Sequence, residues 1–339
     1  MAKYNVLLVG CGDMANKWLE YIIERPDCEV LGLCDIIPEK ARKMKEKNNL
    51  TCDVYDHIDK ALIPNHKFNL AIDCTSPESH EQVVTAALRA GCDALGEKPM
   101  AVSREEALSE IKTADQSGKR YAVMQNRIYL PEMRSLRAAV RDGMIGRLGY
   151  VSSDFFIGAH FGGFRDAMDN PLVLDMAIHT FYQARFIIGS NPISVYCHEF
   201  NPPGSWYKGA ASAVAIFEFK NGVTYSYQGS WCAEGLNTTW ECDWRLCGEL
   251  GSIKWADGDP PVAHITKPES EGFIRSHNEI KLPVDKYDYD GHTGCFMEMF
   301  AALDENRAAE TDSHDNYFSM NMVYGAIESA KNQKKVYLD

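Results

Sequence analysis

Residues 3 to 125 alternate short runs of β-branched and aliphatic residues with amphipathic stretches, and this alternation narrows the possible folds more than any other feature. The apolar runs lie at 4–10, 28–35, 69–75, 92–97 and 120–125. Each run is apolar on both sides of the pleat, as is typical of a parallel sheet covered on both faces by helices. Helices are predicted between them, at about 13–24, 38–47, 78–90 and 103–117. This segment therefore predicts a doubly wound α/β domain.

The pattern changes after a predicted connecting helix at about 131–142, which Gly143 closes. Long alternating runs follow at 149–158, 211–220, 223–231 and 239–247. Alternation over this length, with a hairpin signal at Asn221-Gly222, predicts a mostly antiparallel sheet.

Three further helices are predicted in this half, at about 172–188, 293–305 and 315–331, and a segment rich in Pro, Gly and Asp occupies 257–292. The sequence therefore divides into an α/β domain at 1–125 and an α+β domain at 126–339. An alternative placement of the C-terminal helix is against the first domain.

Composition limits the classes of partner. The chain has 339 residues, of which 45% are hydrophobic and 24% charged, so it is long enough to bury a large core in two domains. Lys and Arg number 35 and Asp and Glu 48, and the formal net charge of −13 repels phosphate backbones and anionic lipid surfaces. Nucleic acid and membranes are therefore not expected partners.

Cysteine usage and the N-terminus indicate the compartment. The 11 cysteines are an odd number without a C-x-x-C pair, and the sequence enters its first strand without a signal-peptide core. We expect reduced thiols, a cytoplasmic protein and no metal site. The longest apolar stretch, 172–189, is interrupted by charged residues and does not reach the ~20 apolar residues of a membrane span.

The first strand ends in Gly10-Cys11-Gly12-Asp13-Met14-Ala15, which matches the pattern G-x-G-x-x-A. This pattern needs one glycine for a tight turn, a second for the approach of a pyrophosphate, and a small third residue for close helix packing. The pyrophosphate is expected on the N-terminal amides of the following helix. The predicted cofactor contacts in this turn are Gly10, Gly12, Asp13 and Met14.

The second strand ends in an acid, Asp35, which lies 20 residues after Ala15. A carboxylate there accepts hydrogen bonds from the adenine ribose hydroxyls and repels a 2′-phosphate. Because no arginine follows directly, NAD is favoured over NADP.

Two later strand ends are expected at the same edge of the sheet, since ligands of open parallel sheets bind beyond the carboxyl ends of the strands. Thr75, Ser76 and Pro77 are predicted to line the nicotinamide ribose. His80 is either a further contact, a helix cap or a solvent-facing residue. Glu97 and Lys98 follow the next strand, and a lysine there can hydrogen-bond a substrate oxygen; the alternative is an ordinary surface lysine.

In the predicted helix 172–188, Asp175 and His179 are four residues apart and so share one face. The rest of this helix is largely apolar, and a carboxylate in such surroundings needs a partner or a function. The pair is suited to setting a histidine near neutral pKa for proton transfer. The alternative is a hydrogen-bonded structural pair.

Four motifs occur in order along the chain: G-C-G-D-M-A at 10–15, T-S-P-E-S-H at 75–80, G-E-K-P-M-A at 96–101 and L-D-M-A-I-H at 174–179. With the sheet-forming second half, they resemble the Gfo/Idh/MocA family of nicotinamide-dependent oxidoreductases over nearly the whole chain. The resemblance implies a Rossmann domain followed by an open, mostly antiparallel sheet. It makes Lys98, Asp175 and His179 the catalytic set, with Glu97 and Lys98 near the nicotinamide ribose. It further implies a homodimer or homotetramer assembled through the second sheet.

The sequence departs from the family pattern at two positions. Many sugar-oxidising members carry an aspartate three residues after the histidine, where this chain has Tyr182. The usual glycine two residues after the motif aspartate is Ala177 here.

The predicted activity is hydride transfer between NAD and a secondary alcohol or ketone of a sugar, sugar derivative, glycoside or cyclitol. His179 is expected to take the hydroxyl proton, Asp175 to orient it, and Lys98 to polarise the reacting oxygen, although Lys98 and His179 can exchange roles. The predicted substrate contacts are Asn126, Arg127, His160, Arg165 and Tyr182.

Two other functions are alternatives to a sugar dehydrogenase. A thiol-dependent aldehyde dehydrogenase needs a cysteine beside a histidine base, but Cys197 and His198 are neighbours in a predicted strand and point to opposite faces. A non-catalytic NAD-binding sensor of the same fold is the other possibility, and the presence of both Lys98 and His179 favours an enzyme.

Overall fold

The computed structural model describes residues 2–64, 66–285 and 290–338, which form two compact units. The first unit comprises Met1–Gln125 and His292–Tyr317, and the second comprises Asn126–Gly291 and Phe318–Asp339. Residues 292–317, which the sequence-based division assigned to the second domain, therefore pack with the first unit.

The N-terminal part of the first unit alternates strands and helices. Its strands are β1 (Tyr4–Val9), β2 (Cys28–Cys34), β3 (Asp53–Tyr55), β4 (Leu70–Asp73), β5 (Asp93–Gly96) and β6 (Tyr121–Val123). Its helices are α1 (Asp13–Glu24), α2 (Pro38–Lys47), α3 (Ile58–Ala61), α4 (His80–Arg89) and α5 (Arg104–Ser117). The Ser103 hydroxyl accepts the Glu106 N–H at the start of α5, in agreement with the predicted capping residue.

The six strands form one parallel sheet in the order β3-β2-β1-β4-β5-β6. The direction of winding changes between β1 and β4, and ligands of open α/β sheets bind at such a switch point, beyond the carboxyl ends of the strands. The sheet confirms the predicted doubly wound domain. Sequence patterning missed β3 and α3, which are three and four residues long, because elements this short have no measurable periodicity.

The second unit begins with α6 (Pro131–Arg141), β7 (Leu148–Phe156), a short helix α7 (Phe164–Ala167), a π-helical turn at Pro171–Met176, and α8 (Ala177–Ile188). Seven strands follow: β8 (Pro192–Phe200), β9 (Ser212–Phe219), β10 (Thr224–Ser230), β11 (Asp243–Gly248), β12 (Gly251–Trp255), β13 (Val262–Thr266) and β14 (His277–Lys281). The last elements of the chain are α9 (Gly291–Asp304), α10 (Ser313–Asn332) and β15 (Val336–Tyr337).

Nine strands form the second sheet, in the order β14-β13-β12-β11-β7-β10-β9-β8-β15. Only β7 and β10 pair in parallel among these described strands, and the others are antiparallel. The predicted hairpin is present, because β9 and β10 pair around Asn221-Gly222 and Gly222 has a φ of +84°.

One face of this sheet is covered and the other is open. Phe181 of α8 packs edge-on against Phe217 of β9 and Tyr227 of β10, all of them buried. On the opposite face, Tyr196 and Ile216 are both exposed. The open, mostly antiparallel sheet predicted for the second domain is thus confirmed, and assembly through its open face remains a prediction.

One prediction about the second half is wrong in detail, and the segment 257–292 contains strands that the sequence analysis did not predict. The run 239–247 becomes a strand only from Asp243, because Cys242 has a φ of +67° and interrupts the extended backbone. Trp240 is consequently exposed in the preceding turn rather than aligned with the buried Trp244. The segment 257–292 also contains β13 and β14, and its residues 286–289 lie outside the described residues.

Glu110 on α5 is a completely buried carboxyl group. Within the described residues, neither of its oxygens has a hydrogen-bond partner. Burial, followed by the nearby Asp73 carboxylate, raises the pKa of Glu110 well above its ordinary value of 4.5. The folded protein therefore holds this side chain protonated under conditions in which the unfolded chain ionises it.

We expect Glu110→Gln to stabilise the protein increasingly as pH rises. A glutamate whose pKa is higher in the folded state contributes its full stabilisation only below its pKa in the unfolded state. This stabilisation is lost as the pH rises toward the pKa in the folded state. The gain in the free energy of unfolding should be small at pH 5 and grow by up to about 1.4 kcal/mol per pH unit. Urea denaturation between pH 5 and 8 measures it.

The matched control is Glu105→Gln, one of the exposed positions of the same helix. This control should change stability little at any pH. A Glu110→Gln effect that did not vary with pH would show that Glu110 is ionised in the folded state.

Candidate active site

The glycine turn after β1 packs directly on the backbone that follows β4. Gly10 has a φ of +82°, and a Cβ atom there would lie 2.6 Å from the carbonyl carbon of Cys74. Gly12 is the N-cap of α1; no described side chain caps the helix, and a Cβ at Gly12 would meet no described heavy atom within 4 Å. Asp13 and Met14 follow and are exposed. An uncapped and accessible helix N-terminus fits the pyrophosphate of a dinucleotide.

Asp35, which directly follows β2, fastens this turn in place. Its Oδ2 atom accepts the Cys11 N–H at 2.8 Å, and its Oδ1 atom accepts the Ile37 N–H at 2.8 Å. Each carboxylate oxygen has further acceptor capacity, so these bonds leave room for ribose hydroxyls. The sequence indicated that Asp35 binds the ribose hydroxyls. It gave no sign that Asp35 also holds the glycine turn.

Asp73, the last residue of β4, organises the next turn in the same way. Its Oδ1 atom accepts both the backbone N–H and the hydroxyl of Thr75, at 2.9 and 2.6 Å. Its Oδ2 atom lies 2.7 Å from Nδ1 of His80. Sequence reasoning overlooked Asp73, although an acid at the end of a buried strand was the signal that identified Asp35.

The structure corrects the predicted role of His80. The ring is completely buried, so its side chain is not available for a direct cofactor contact, nor does it face solvent. Burial lowers the pKa of His80, but the Asp73 carboxylate outweighs this effect and the pKa is raised. His80 therefore supports the Thr75-Ser76-Pro77 turn through Asp73.

Glu97, which follows β5, is held by a residue that the sequence did not single out. The Trp18 indole N–H on α1 donates to Glu97 Oε1 at 2.6 Å, and the Lys98 N–H donates to Oε2 at 3.3 Å. Trp18 is fully buried and packs edge-on against Phe296 of α9. Lys98 itself is partly exposed. Helix α1 is therefore joined directly to the segment that presents Lys98.

In the second unit, Asp175 and His179 lie in an almost entirely apolar segment and are 7% and 6% exposed. Sequence spacing predicted one regular α-helix, but Asp175 lies in the π-helical turn and His179 in the first turn of α8. A π turn shifts the direction of its side chains relative to an α-helix, so the spacing of four residues alone did not fix their relation.

Arg165 of α7 forms an ion pair with Asp175, its Nε donating to Oδ2 at 2.6 Å. Its guanidinium lies over the rings of Phe161 and Phe164, with 5.2 and 4.6 Å between the Cζ atom and the ring centroids. The buried carboxylate is thus electrostatically compensated by a neighbouring side chain.

Two predicted substrate contacts, Tyr182 and Arg127, interact with other side chains of the second unit. Tyr182 is buried, and the Arg185 guanidinium lies over its ring, so we regard it as a packing residue. Arg127 donates to the Trp240 carbonyl and lies 3.7 Å from a Glu241 oxygen, so it holds the turn before β11, and its role as a substrate contact remains a prediction.

The remaining predicted contacts have different surroundings. His160 stacks on Trp206 at 3.6 Å between ring centroids, and its Nε2 lies 2.8 Å from Glu234 Oε1. Its side chain is largely exposed. Asn126 is partly buried in the 3₁₀ turn that follows β6. Both remain predictions as substrate contacts.

The structure disfavours the thiol-dependent alternative at Cys197 and His198. Cys197 is buried in β8, and burial raises the pKa of its thiol, whereas His198 is exposed on the other face. The two side chains therefore cannot act as a nucleophile and its base.

Across the described ranges 2–64, 66–285 and 290–338, we find no group of three or more His, Cys, Asp or Glu side chains arranged to hold a metal ion. None of the described helices combines the length and the apolar character that crossing a membrane requires.

Models of two protein domains match the chain. Residues 4–125 match the oxidoreductase family model with an NAD-binding Rossmann fold, GFO_IDH_MocA. Residues 133–254 match the GFO/IDH/MocA C-terminal domain. Together the two models span most of the chain and include the glycine turn, Lys98, Asp175 and His179.

Known proteins show the same relationship. The chain is 23% identical to a 1,5-anhydro-D-fructose reductase of Ensifer adhaerens, covering 82% of both proteins. It is 25% identical to D-glucoside 3-dehydrogenase of Escherichia coli, covering 59% of this chain and 58% of that protein. An Agrobacterium radiobacter oxidoreductase, solved with NAD⁺, L-tartaric acid and magnesium, has a TM-score of 0.86 at 19% identity over 99% and 98% of the two chains. The structural similarity supports the fold alone.

The bond from Trp18 to Glu97 predicts a measurable contribution to stability. Trp18→Phe keeps an aromatic ring against Phe296 but removes the only N–H of the indole. Leaving a buried carboxylate oxygen without this donor should lower the free energy of unfolding by about 1–3 kcal/mol beyond the loss of ring packing. Urea denaturation measures the change.

Trp255→Phe is the matched control, because Trp255 is also buried and its indole nitrogen has no hydrogen-bond partner among the described residues. If both variants lost the same stability, the Trp18 hydrogen bond would contribute nothing beyond packing.

Proposed function

Because the chain belongs to the Gfo/Idh/MocA oxidoreductase family, we propose that it is an NAD-dependent dehydrogenase of sugars, sugar derivatives, glycosides or cyclitols. The reaction is oxidation of a secondary alcohol or reduction of the corresponding ketone. The buried Asp175 carries the proposal: it is compensated by Arg165 and followed by His179 in an apolar segment. Such a group is expensive to bury and is typical of a functional site.

The cofactor would be held by the turns at the carboxyl edge of the first sheet. The pyrophosphate would bind at the N-terminus of α1, beside Gly12, Asp13 and Met14, and Asp35 would accept the ribose hydroxyls. Because a carboxylate repels a 2′-phosphate, we infer a preference for NAD over NADP.

The nicotinamide end would be bound by the turns that Asp73 and Trp18 fix. Thr75, Ser76 and Pro77 would line its ribose, together with Glu97 and Lys98. A bound nicotinamide supplies the acceptor for the hydride that leaves the substrate carbon.

The protein's own groups would handle the proton and the developing charge. His179 would accept the hydroxyl proton during oxidation, and Asp175 would orient the imidazole or bind a neighbouring hydroxyl. Lys98 would donate a hydrogen bond to the reacting oxygen and stabilise its negative charge. The roles of Lys98 and His179 can be exchanged without changing the balance of the reaction.

The test is a cofactor-reduction assay with NAD and NADP against inositols, hexoses, pentoses, uronates and glycosides at several pH values. We expect formation of NADH with a subset of these alcohols, and a higher kcat/KM for NAD than for NADP. Tight NAD binding without turnover of any substrate would indicate a sensor instead. This conclusion requires that the protein does not retain a tightly held cofactor that it recycles internally.

Lys98→Ala and His179→Ala should each lower kcat by roughly 10²–10⁴-fold, the usual contribution of a general acid or base. NADH binding, followed by fluorescence titration, should persist in His179→Ala. Lys112→Ala, at an exposed position on α5, is the control and should retain full turnover. More than about a tenth of the wild-type kcat in either active-site variant would exclude the proposed role of that residue.

A further inference from the structure

Arg165 is anchored to Asp175 through one edge of its guanidinium only. Arg165 is the second residue of α7, and this helix directly follows Gly162 and Gly163, whose φ angles are +69° and +70°. Its Nε atom donates to Asp175 Oδ2 at 2.6 Å. Because Asp175 is buried in the π-helical turn, this contact fixes where the guanidinium lies.

The other edge of the guanidinium has no protein acceptor among the described residues. Within the part of the chain that the structure describes, neither Nη atom of Arg165 makes a hydrogen bond to a protein acceptor, and the side chain is 30% exposed. A guanidinium has five N–H donors, and Nε accounts for one of them. Four donors in a planar fork therefore remain for solvent or a ligand.

Two aromatic rings lie against the guanidinium of Arg165. Phe161 and Phe164 lie within 5.2 and 4.6 Å of the Arg165 Cζ atom, yet they are 49% and 57% exposed. Phe161 is also packed edge-on against the buried Trp231. A hydrogen bond from this guanidinium to an anionic group would be charge-assisted and therefore stronger than one between neutral groups.

The neighbouring charges do not create a general attraction for anions. Asp166 and Asp169 lie close in sequence, and Asp169 is paired with Lys208. With Asp175, this segment has three negative charges against the two positive charges of Arg165 and Lys208. An anionic group would therefore have to be held by direct, two-pronged contact with Arg165, the geometry for which a guanidinium is suited.

We propose that Arg165 binds a carboxylate of the substrate through its two terminal nitrogens, so that the preferred substrates are sugar acids such as hexuronates. This inference rests on the proposed dehydrogenase function, because Asp175, to which Arg165 is bonded, is assigned to the reacting centre. Arg165 is thus a specificity-determining residue, and Phe161 and Phe164 are the walls of its subsite.

The experiment compares acids with their neutral parent sugars. The kcat/KM values with NAD are measured for D-glucuronate, D-galacturonate and D-mannuronate, and for D-glucose, D-galactose and D-mannose. We expect at least one acid to exceed its parent by about 100-fold or more. Arg165→Gln should abolish this ratio, chiefly by raising KM for the acid, and the methyl ester of the acid should behave as the neutral sugar does.

The ratio of kcat/KM for an acid to kcat/KM for its parent sugar distinguishes substrate binding by Arg165 from positioning of Asp175. If Arg165 only oriented Asp175, Arg165→Gln would lower turnover of acids and neutral sugars alike and leave the ratio intact, which would overturn the proposal. Arg147→Gln is the matched control, because Arg147 is an exposed arginine paired with Glu249 in the same unit. Arg147→Gln should change kcat/KM neither for the acids nor for the neutral sugars.

Calorimetric titration of the NAD-loaded protein with the same acids and neutral sugars distinguishes failure of this inference from failure of the dehydrogenase function. Acid-selective binding that Arg165→Gln removes would support the subsite even without turnover. Turnover of neutral sugars with no preference for acids would support the dehydrogenase and overturn the subsite. Absence of acid-selective binding would also overturn it.

Discussion

The candidate cofactor site depends on the close approach of Gly10 to the backbone of Cys74. A parallel sheet brings the ends of β1 and β4 together, and only a residue without a Cβ atom lets the two following turns pack on each other. Two buried carboxylates then use this proximity: Asp35 holds the turn after β1, and Asp73 holds the turn after β4. The turns of this candidate site for an anionic ligand are therefore positioned by backbone packing and by hydrogen bonds to two carboxylates.

In the second unit, the feature that requires compensation is the buried carboxylate of Asp175. A carboxylate in an apolar segment is costly to bury, and Arg165 compensates Asp175 from a short helix that follows two glycines with positive φ. Among the described residues, the four N–H groups on the Nη atoms of this guanidinium have no protein acceptor, and two exposed aromatic rings lie against it. The contact that makes the buried acid tolerable thus also positions the arginine on which the proposed substrate recognition depends.

Patterning predicted the longer elements well, because a buried face repeats along them with a fixed period. It failed where pairing alone decides the structure: β3 is three residues long and exists through its ladder with β2. It also failed at Cys242, whose positive φ ends the alternation of the preceding run. No local pattern records such a conformation at a residue other than glycine.

The sequence by itself determined the doubly wound sheet, the glycine turn, the acid after β2 and the presence of Lys98, Asp175 and His179, because each depends on residue type at a local position. Tertiary structure decided the rest. It buried His80 behind Asp73, joined Trp18 to Glu97 across 79 positions of sequence, and paired Arg165 with Asp175. These contacts join different elements, and hydrogen-bond partners brought together by folding have no fixed spacing along the chain.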